Sequence, residues 1–308
     1  MTRSAPRVVL VTGGSSGIGL ATALELAAAG DHLVLLARAR GPLECAAEQC
    51  RSAGAASVTT VPADVRDAAA VTRAVEGVLA DHGRLDVAVS CAGVAAYGRF
   101  EDVPVEVFDG VVATVLLGTA NVARAVLPRM RADDHGTLLL VGSVIGTIAA
   151  PTMSPYVVGK WGVRALAREL QLENRDRPGV FVTLVTPGGV DTPIYRQAAN
   201  YSGRVGSPPP PVYSPHRVAR ALVGALDRPP RRLDVGVTNP VMALGFALLP
   251  WLFDVLVGPL FSVAARGLDR VPPTPGNVLT PVPAGEGLFG QRPGLAERVR
   301  ALLHPGGS

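Results

Sequence analysis

The chain has 308 residues, a formal net charge of +4 and an apolar share of 48%, enough for one large α/β domain with an appendage. Charged residues make up 18%, with no Lys/Arg block and no cationic stripe interleaved with aromatics, so no nucleic-acid partner is expected. Cys45, Cys50 and Cys91 have no metal-type spacing; they read as free thiols of a reducing compartment, and no metal is expected. Residues 1–7 are short and polar without a signal-peptide pattern, and the expected location is cytoplasmic.

In chain order, residues 7–12 are an apolar β-branched strand ending in glycines, and 17–30 a helix closed by glycine. A strand is expected at 32–37, a helix at 41–53, a strand at 57–62 and a helix at 67–82. Strand 86–90, a long helix 105–131 with Pro104 at its start, strand 137–142, helix 154–176 and strand 180–186 follow. A helix at 215–227 and a strand at 232–237 complete the series. Apolar strands alternating with helices predict a Rossmann-type doubly wound parallel sheet of about seven strands, covered on both faces. We expect this domain to span 1–239, with an extension at 240–308. The composition shifts there: seventeen of the 27 prolines lie beyond residue 205. Residues 240–253 carry no charge, Asp254 interrupts, and 255–265 are apolar again. Residues 272–294 are rich in proline and glycine and read as irregular.

Thr12-Gly13-Gly14-Ser15-Ser16-Gly17-Ile18-Gly19 sits between the first strand and the first helix. Glycines there let backbone approach a pyrophosphate, and the helix N-terminus supplies N–H donors and a favourable dipole. A ribose-reading carboxylate belongs at the end of the second strand, but this chain has Ala37-Arg38. Arginine pairs with a 2′-phosphate, so NADP(H) is the expected cofactor, with Arg40 a second candidate. Tyr156 and Lys160, four apart on one helix, share a face. The ammonium is expected to draw the phenol down from about 10 and make it a general acid/base for a carbonyl/alcohol pair. Ser143 can donate to the same oxygen. Lys160 is the sole lysine.

Taken together, Thr12–Gly19, Asp64-Val65, Ser90-Cys91-Ala92-Gly93, Ser143, Tyr156 with Lys160, and Pro187-Gly188 with Thr192 resemble the short-chain dehydrogenase/reductase family over roughly residues 7–195. The resemblance implies that Gly13, Gly17 and Gly19 cradle the pyrophosphate, beside Thr12, Ser15, Ser16 and Ile18. Asp64 and Val65 would hold the adenine, and Ala92 and Gly93 would line the cofactor, although Ser90-Cys91 replace the family's two asparagines. Tyr156 would move the proton, Ser143 polarise the substrate oxygen, and Lys160 bind the nicotinamide ribose. Pro187, Gly188, Val190 and Thr192 would hold the nicotinamide end. Read singly, Asp64 is equally a turn carboxylate and Thr192 a helix N-cap before Pro193. The family's asparagine in the long helix is replaced by Val115, and Thr114 is expected to point about 100° away. The resemblance also implies a homodimer or homotetramer through the helices at 105–131 and 154–176.

Substrate contacts are expected from the loops 94–100, 144–153 and 194–213, at the carboxyl ends of the strands. Their Val, Ile, Ala, Pro and Met content suggests an apolar ketone or secondary alcohol, with Arg196 and Arg204 as exceptions. Residues 240–265 have three readings: a lid over the site, a subunit interface, or a peripheral membrane contact; proline and glycine interruptions argue against a span. Two further functions stay open: a cofactor-binding sensor or partner protein with little turnover, and a non-redox lyase, isomerase or cyclase using Tyr156 for acid–base work alone.

Overall fold

The structure is a computed structural model, and it describes residues 5–264 and 266–290. Residues 1–4, 265 and 291–308, including the end of the irregular stretch at 272–294, lie outside the described residues. Seven parallel strands form the central sheet: β1 (Val8–Thr12), β2 (His32–Ala37), β3 (Ser57–Pro62), β4 (Val87–Ser90), β5 (Gly136–Val141), β6 (Val180–Pro187) and β7 (Arg232–Val235). Their spatial order is β3-β2-β1-β4-β5-β6-β7, so the winding reverses between β1 and β4. A ligand crevice opens at such a reversal, beyond the carboxyl ends of the strands.

The inner strands of the sheet are buried on both faces, which is why they read as largely apolar runs, whereas the edge strands β3 and β7 are partly exposed. Val8 and Leu10 of β1 pack into one core, and Val9 and Val11 into the other. The flanking helices are α1 (Gly17–Ala28), α2 (Arg40–Ser52), α3 (Ala68–His82), α4 (Val105–Asp133), α5 (Ser154–Glu173) and α6 (Pro215–Gly224). Their ends follow from capping chemistry. Asp67 accepts from the Ala70 N–H at 3.0 Å to start α3, and Gly83 closes it at φ +73°. Ser214 caps α6 by accepting from the Arg217 N–H at 3.2 Å, with Pro215 at the first position. Helix α4 is long and apolar enough by composition to cross a membrane, yet its inner face, Val122, Val126 and Met130, is fully buried in the core.

α4 carries a π-helical turn at Ala113–Leu117. The wide turn alters the helix phase, so the expectation that Thr114 points away is corrected. Thr114 borders the central cavity, its hydroxyl donating to the Gly110 carbonyl at 2.8 Å, while Val115 is buried against Gly159 of α5. The first helical turn of α1 lies close over the glycine-rich turn. A Cβ on Gly19 would sit 2.1 Å from the Gly13 carbonyl oxygen.

The uncharged stretch after β7 forms two helices, α7 (Asn239–Leu248) and α8 (Pro250–Ala264). Phe246 joins them, stacking edge-on to Trp161 of α5 at 5.9 Å and to Phe253 at 5.1 Å. The chain then returns through Arg266–Arg270, antiparallel to Arg204–Gly206. Gly19→Ala is expected to destabilise the protein by more than about 2 kcal/mol, since backbone must move to admit the methyl. Thermal unfolding should show a drop in Tm of several degrees.

Candidate active site

One cavity of about 720 Å³ runs from the glycine-rich turn to the α7–α8 pair. Its cofactor end is built from backbone. Gly13 sits at φ +68°, and a Cβ there would lie 2.9 Å from Ala92, so the turn abuts the end of β4. Gly13, Ser15, Ser16, Gly17, Ile18, Arg38, Asp64, Val65, Ala92 and Gly93 all line this end. Pro187, Gly188, Val190 and Thr192 line the middle, beside Ser143, Tyr156 and Lys160. Thr192 precedes the short helix Ile194–Gln197, but Pro193, not Thr192, stands at its cap position.

Two expected cofactor residues do not line the cavity. Thr12 is fully buried, and its hydroxyl accepts from the Cys91 and Ala92 N–H groups at 3.2 and 3.4 Å, tying β1 to the end of β4. Gly19 serves the close packing already described. Arg40 is exposed and pairs with Glu44 at 3.6 Å, leaving Arg38 as the arginine of the site.

Asp64 is gripped by Arg66 at 2.7 Å. Burial pushes its carboxyl up, but the hydrogen bonds and charge of Arg66, with Arg38 beyond, win and hold it below the usual carboxylate range. Arg38 is drawn below its ordinary value by burial, against the opposing charges of Asp64 and Glu286.

The Tyr156–Lys160 pair differs from expectation. Lys160 Nζ donates to the Val141 carbonyl at 2.7 Å and lies 5.6 Å from the centre of the Tyr156 ring. Burial is the largest influence on both groups. It pushes the phenol up, reinforced by Tyr195 and Cys91, while a hydrogen bond with Ser143 pulls it down. It also lowers the Lys160 ammonium to about 8. The expected depression of the phenol by the lysine is therefore absent from this geometry. Cys91, nearby, is pushed up to about 11 by burial and stays a thiol.

Sequence reasoning covered the loops bearing Tyr97 and Tyr195 but did not single these residues out; both border the cavity near Tyr156. The far end is apolar: Ile145, Ile148 and Met153 face Leu252, Phe253 and Val257 of α8. Arg196 is turned to Asp269 at 2.7 Å. Among the described residues there is no group of three or more His, Cys, Asp or Glu that could hold a metal ion.

Comparison with known proteins agrees with this geometry. A family model described as short chain dehydrogenase matches residues 7–201. Sepiapterin reductase of Chlorobaculum tepidum is 35% identical over 195 residues, 61% of this chain and 79% of that one. 11-beta-hydroxysteroid dehydrogenase 1A of Arabidopsis thaliana is 32% identical over 260 residues, 80% of this chain and 73% of its own. A solved alcohol dehydrogenase from the archaeon Thermococcus sibiricus, complexed with 5-hydroxy-NADP, superposes with a TM-score of 0.65 at 30% identity, covering 75% of this chain and 96% of that one. The chain belongs to the short-chain dehydrogenase/reductase family. It is an NAD(P)-dependent oxidoreductase of that family, acting on a ketone/alcohol pair.

In the dinucleotide-free protein, Lys160 should titrate near 8 rather than 10.5. As the sole lysine, it gives one amine resonance under isotope labelling, which reads this directly. Between those values the unfolded lysine is protonated and the folded one is not. Folding stability should therefore rise with pH from about 8 to 10.5, and Lys160→Met should remove that rise.

Proposed function

We propose that this protein is an NADP(H)-dependent reductase/dehydrogenase that interconverts a bulky apolar ketone and its secondary alcohol. The observation that carries the reading is the continuity of one cavity, with Arg38 and the glycine-rich turn at one end, Ser143, Tyr156 and Lys160 midway, and an aliphatic and aromatic chamber beyond. The residues fit a dinucleotide, since the Gly13 cradle admits no side chain, and Arg38, although it donates to the Asn277 and Val278 carbonyls, brings to this end the charge that a 2′-phosphate needs. The steroid dehydrogenase relative, which matches 80% of the chain, supports a large apolar substrate.

A dinucleotide held by the glycine-rich turn and the residues about Arg38 would supply or accept the hydride. Ser143 orients the substrate oxygen toward Tyr156, whose hydroxyl gives up its proton in reduction and recovers it in oxidation. Lys160, anchored to Val141, holds positive charge beside the phenol as negative charge develops there. The α7–α8 pair excludes water, through Phe253 and Val257 on the inner side.

Oxidation of NADPH followed at 340 nm across a panel of apolar ketones should reveal turnover. Tyr156→Phe should lower kcat/KM by about 10²–10⁴ with NADPH binding retained. Full activity in that variant, or product formation without change in cofactor redox state, would overturn the redox reading.

A peripheral membrane contact has its own observation. Leu244, Leu248, Trp251 and Val255 are 60–68% exposed on the outer side of α7 and α8. Such a face suits the edge of a bilayer, from which a greasy substrate enters. The protein should float with phospholipid vesicles, and Leu248→Glu combined with Trp251→Glu should release it while preserving turnover of a soluble ketone.

A further inference from the structure

The irregular chain after Arg266–Arg270 forms a strap across the cofactor end of the cavity. It is anchored first on the loop after the short helix Ile194–Gln197. Asn200 and Thr274 exchange backbone hydrogen bonds of 2.8 and 3.0 Å, and the Asn277 N–H donates to the Gln197 carbonyl at 2.8 Å. Val278 is fully buried, close against Gly110 of α4. The strap then meets the glycine-rich turn. The Gly17 N–H and the Ser16 hydroxyl donate to the Gly287 carbonyl at 2.9 and 3.0 Å, and Ser15 donates to the Glu286 carboxylate. Beyond it, the Gly290 N–H donates to Asp191 at 3.2 Å.

These contacts place a carboxylate beside Ser15, within electrostatic reach of Arg38, and β2 itself provides none. The end of β2 is the position that reads the adenosine ribose, and here it is Ala37-Arg38. Glu286 borders the same end of the cavity as Ser15, Arg38, Asp64 and Asn277. Arg38 does not face this space unencumbered. It donates to the Asn277 carbonyl at 2.7 Å and to the Val278 carbonyl at 3.3 Å, both on the strap.

We propose that Glu286 is a specificity-determining residue of the dinucleotide site, a counterweight to Arg38 that accepts from a ribose 2′-hydroxyl and opposes a 2′-phosphate. The inference rests on the cofactor reading above. A carboxylate can accept a hydroxyl proton but gives a phosphate no donor, and two anions in a half-buried site repel strongly. Burial raises the Glu286 carboxyl above its ordinary value, and the Ser15 hydrogen bond and the Arg38 charge offset that rise only in part. Choice between the two dinucleotides is thus a balance of two side chains, one of them carried by the extension.

The test is titration of the full chain, as wild type, Glu286→Gln and Glu286→Ala, with NADPH and NADH, read by nucleotide fluorescence. Both variants should improve the ratio of NADPH to NADH affinity at least tenfold, by tightening NADPH and weakening or leaving unchanged NADH. A change of equal size for both dinucleotides would reduce the strap to a plain cover and overturn the proposal, as would an unchanged ratio. In both cases the cofactor reading stands, because binding is seen. Binding of neither dinucleotide by any of the three proteins would overturn the cofactor reading and this inference with it.

Discussion

The contact between Gly19 and Gly13 sets the distance between α1 and the turn that precedes it, and the remainder of the site is built outward from that distance. Because no side chain intervenes, the start of α1 lies directly over the end of β1. Gly13 in turn abuts Ala92 at the end of β4, across the reversal in strand order. Thr12 fastens the same junction from below by accepting from two β4-side N–H groups. A crevice lined by backbone results, and backbone is what a pyrophosphate requires. Tyr156 and Lys160, on α5, then face this crevice from the next strand pair outward.

The electrostatics of the Tyr156–Lys160 pair are governed by burial more than by the neighbouring charge. Lys160 donates a hydrogen bond to the Val141 carbonyl, and its ammonium lies 5.6 Å from the centre of the Tyr156 ring. Such an arrangement orients the lysine before any ligand arrives. Val115 fits the same picture: with Gly159 between Tyr156 and Lys160 on α5, a tightly packed valine leaves the two helices in direct apolar contact.

Much of this could be read along the chain, for identifiable reasons. β2 matches its expected limits because burial makes it a continuous apolar run bounded by turn residues, and the edge strand β3, only partly buried, matches through its β-branched Val and Thr content. Helix limits were good to a few residues where a cap marks them, as at Asp67 and Ser214. Thr114 was misplaced because a regular 3.6-residue period was assumed across a π-helical turn that composition does not announce. Ser143, Tyr156 and Arg38 were expected at the site from their joint arrangement along the chain, and the structure brings the three to one cavity. Glu286 was not: it stands 271 residues from Ser15, in a proline- and glycine-rich stretch with no period, and nothing in local spacing joins the two. Tyr97 and Tyr195 were similarly hidden, since they converge on Tyr156 from separate loops.

The strap also gives the molecule a temporal order. Ribosomal synthesis delivers the glycine-rich turn 271 residues before the strap, so the contacts between them wait until the strap has emerged. Its closing contacts have among the greatest sequence separations in the fold, and such contacts form late because the loop between them must be ordered beforehand. The first turn to be made is thus completed by residues that lie 271 positions further along the chain.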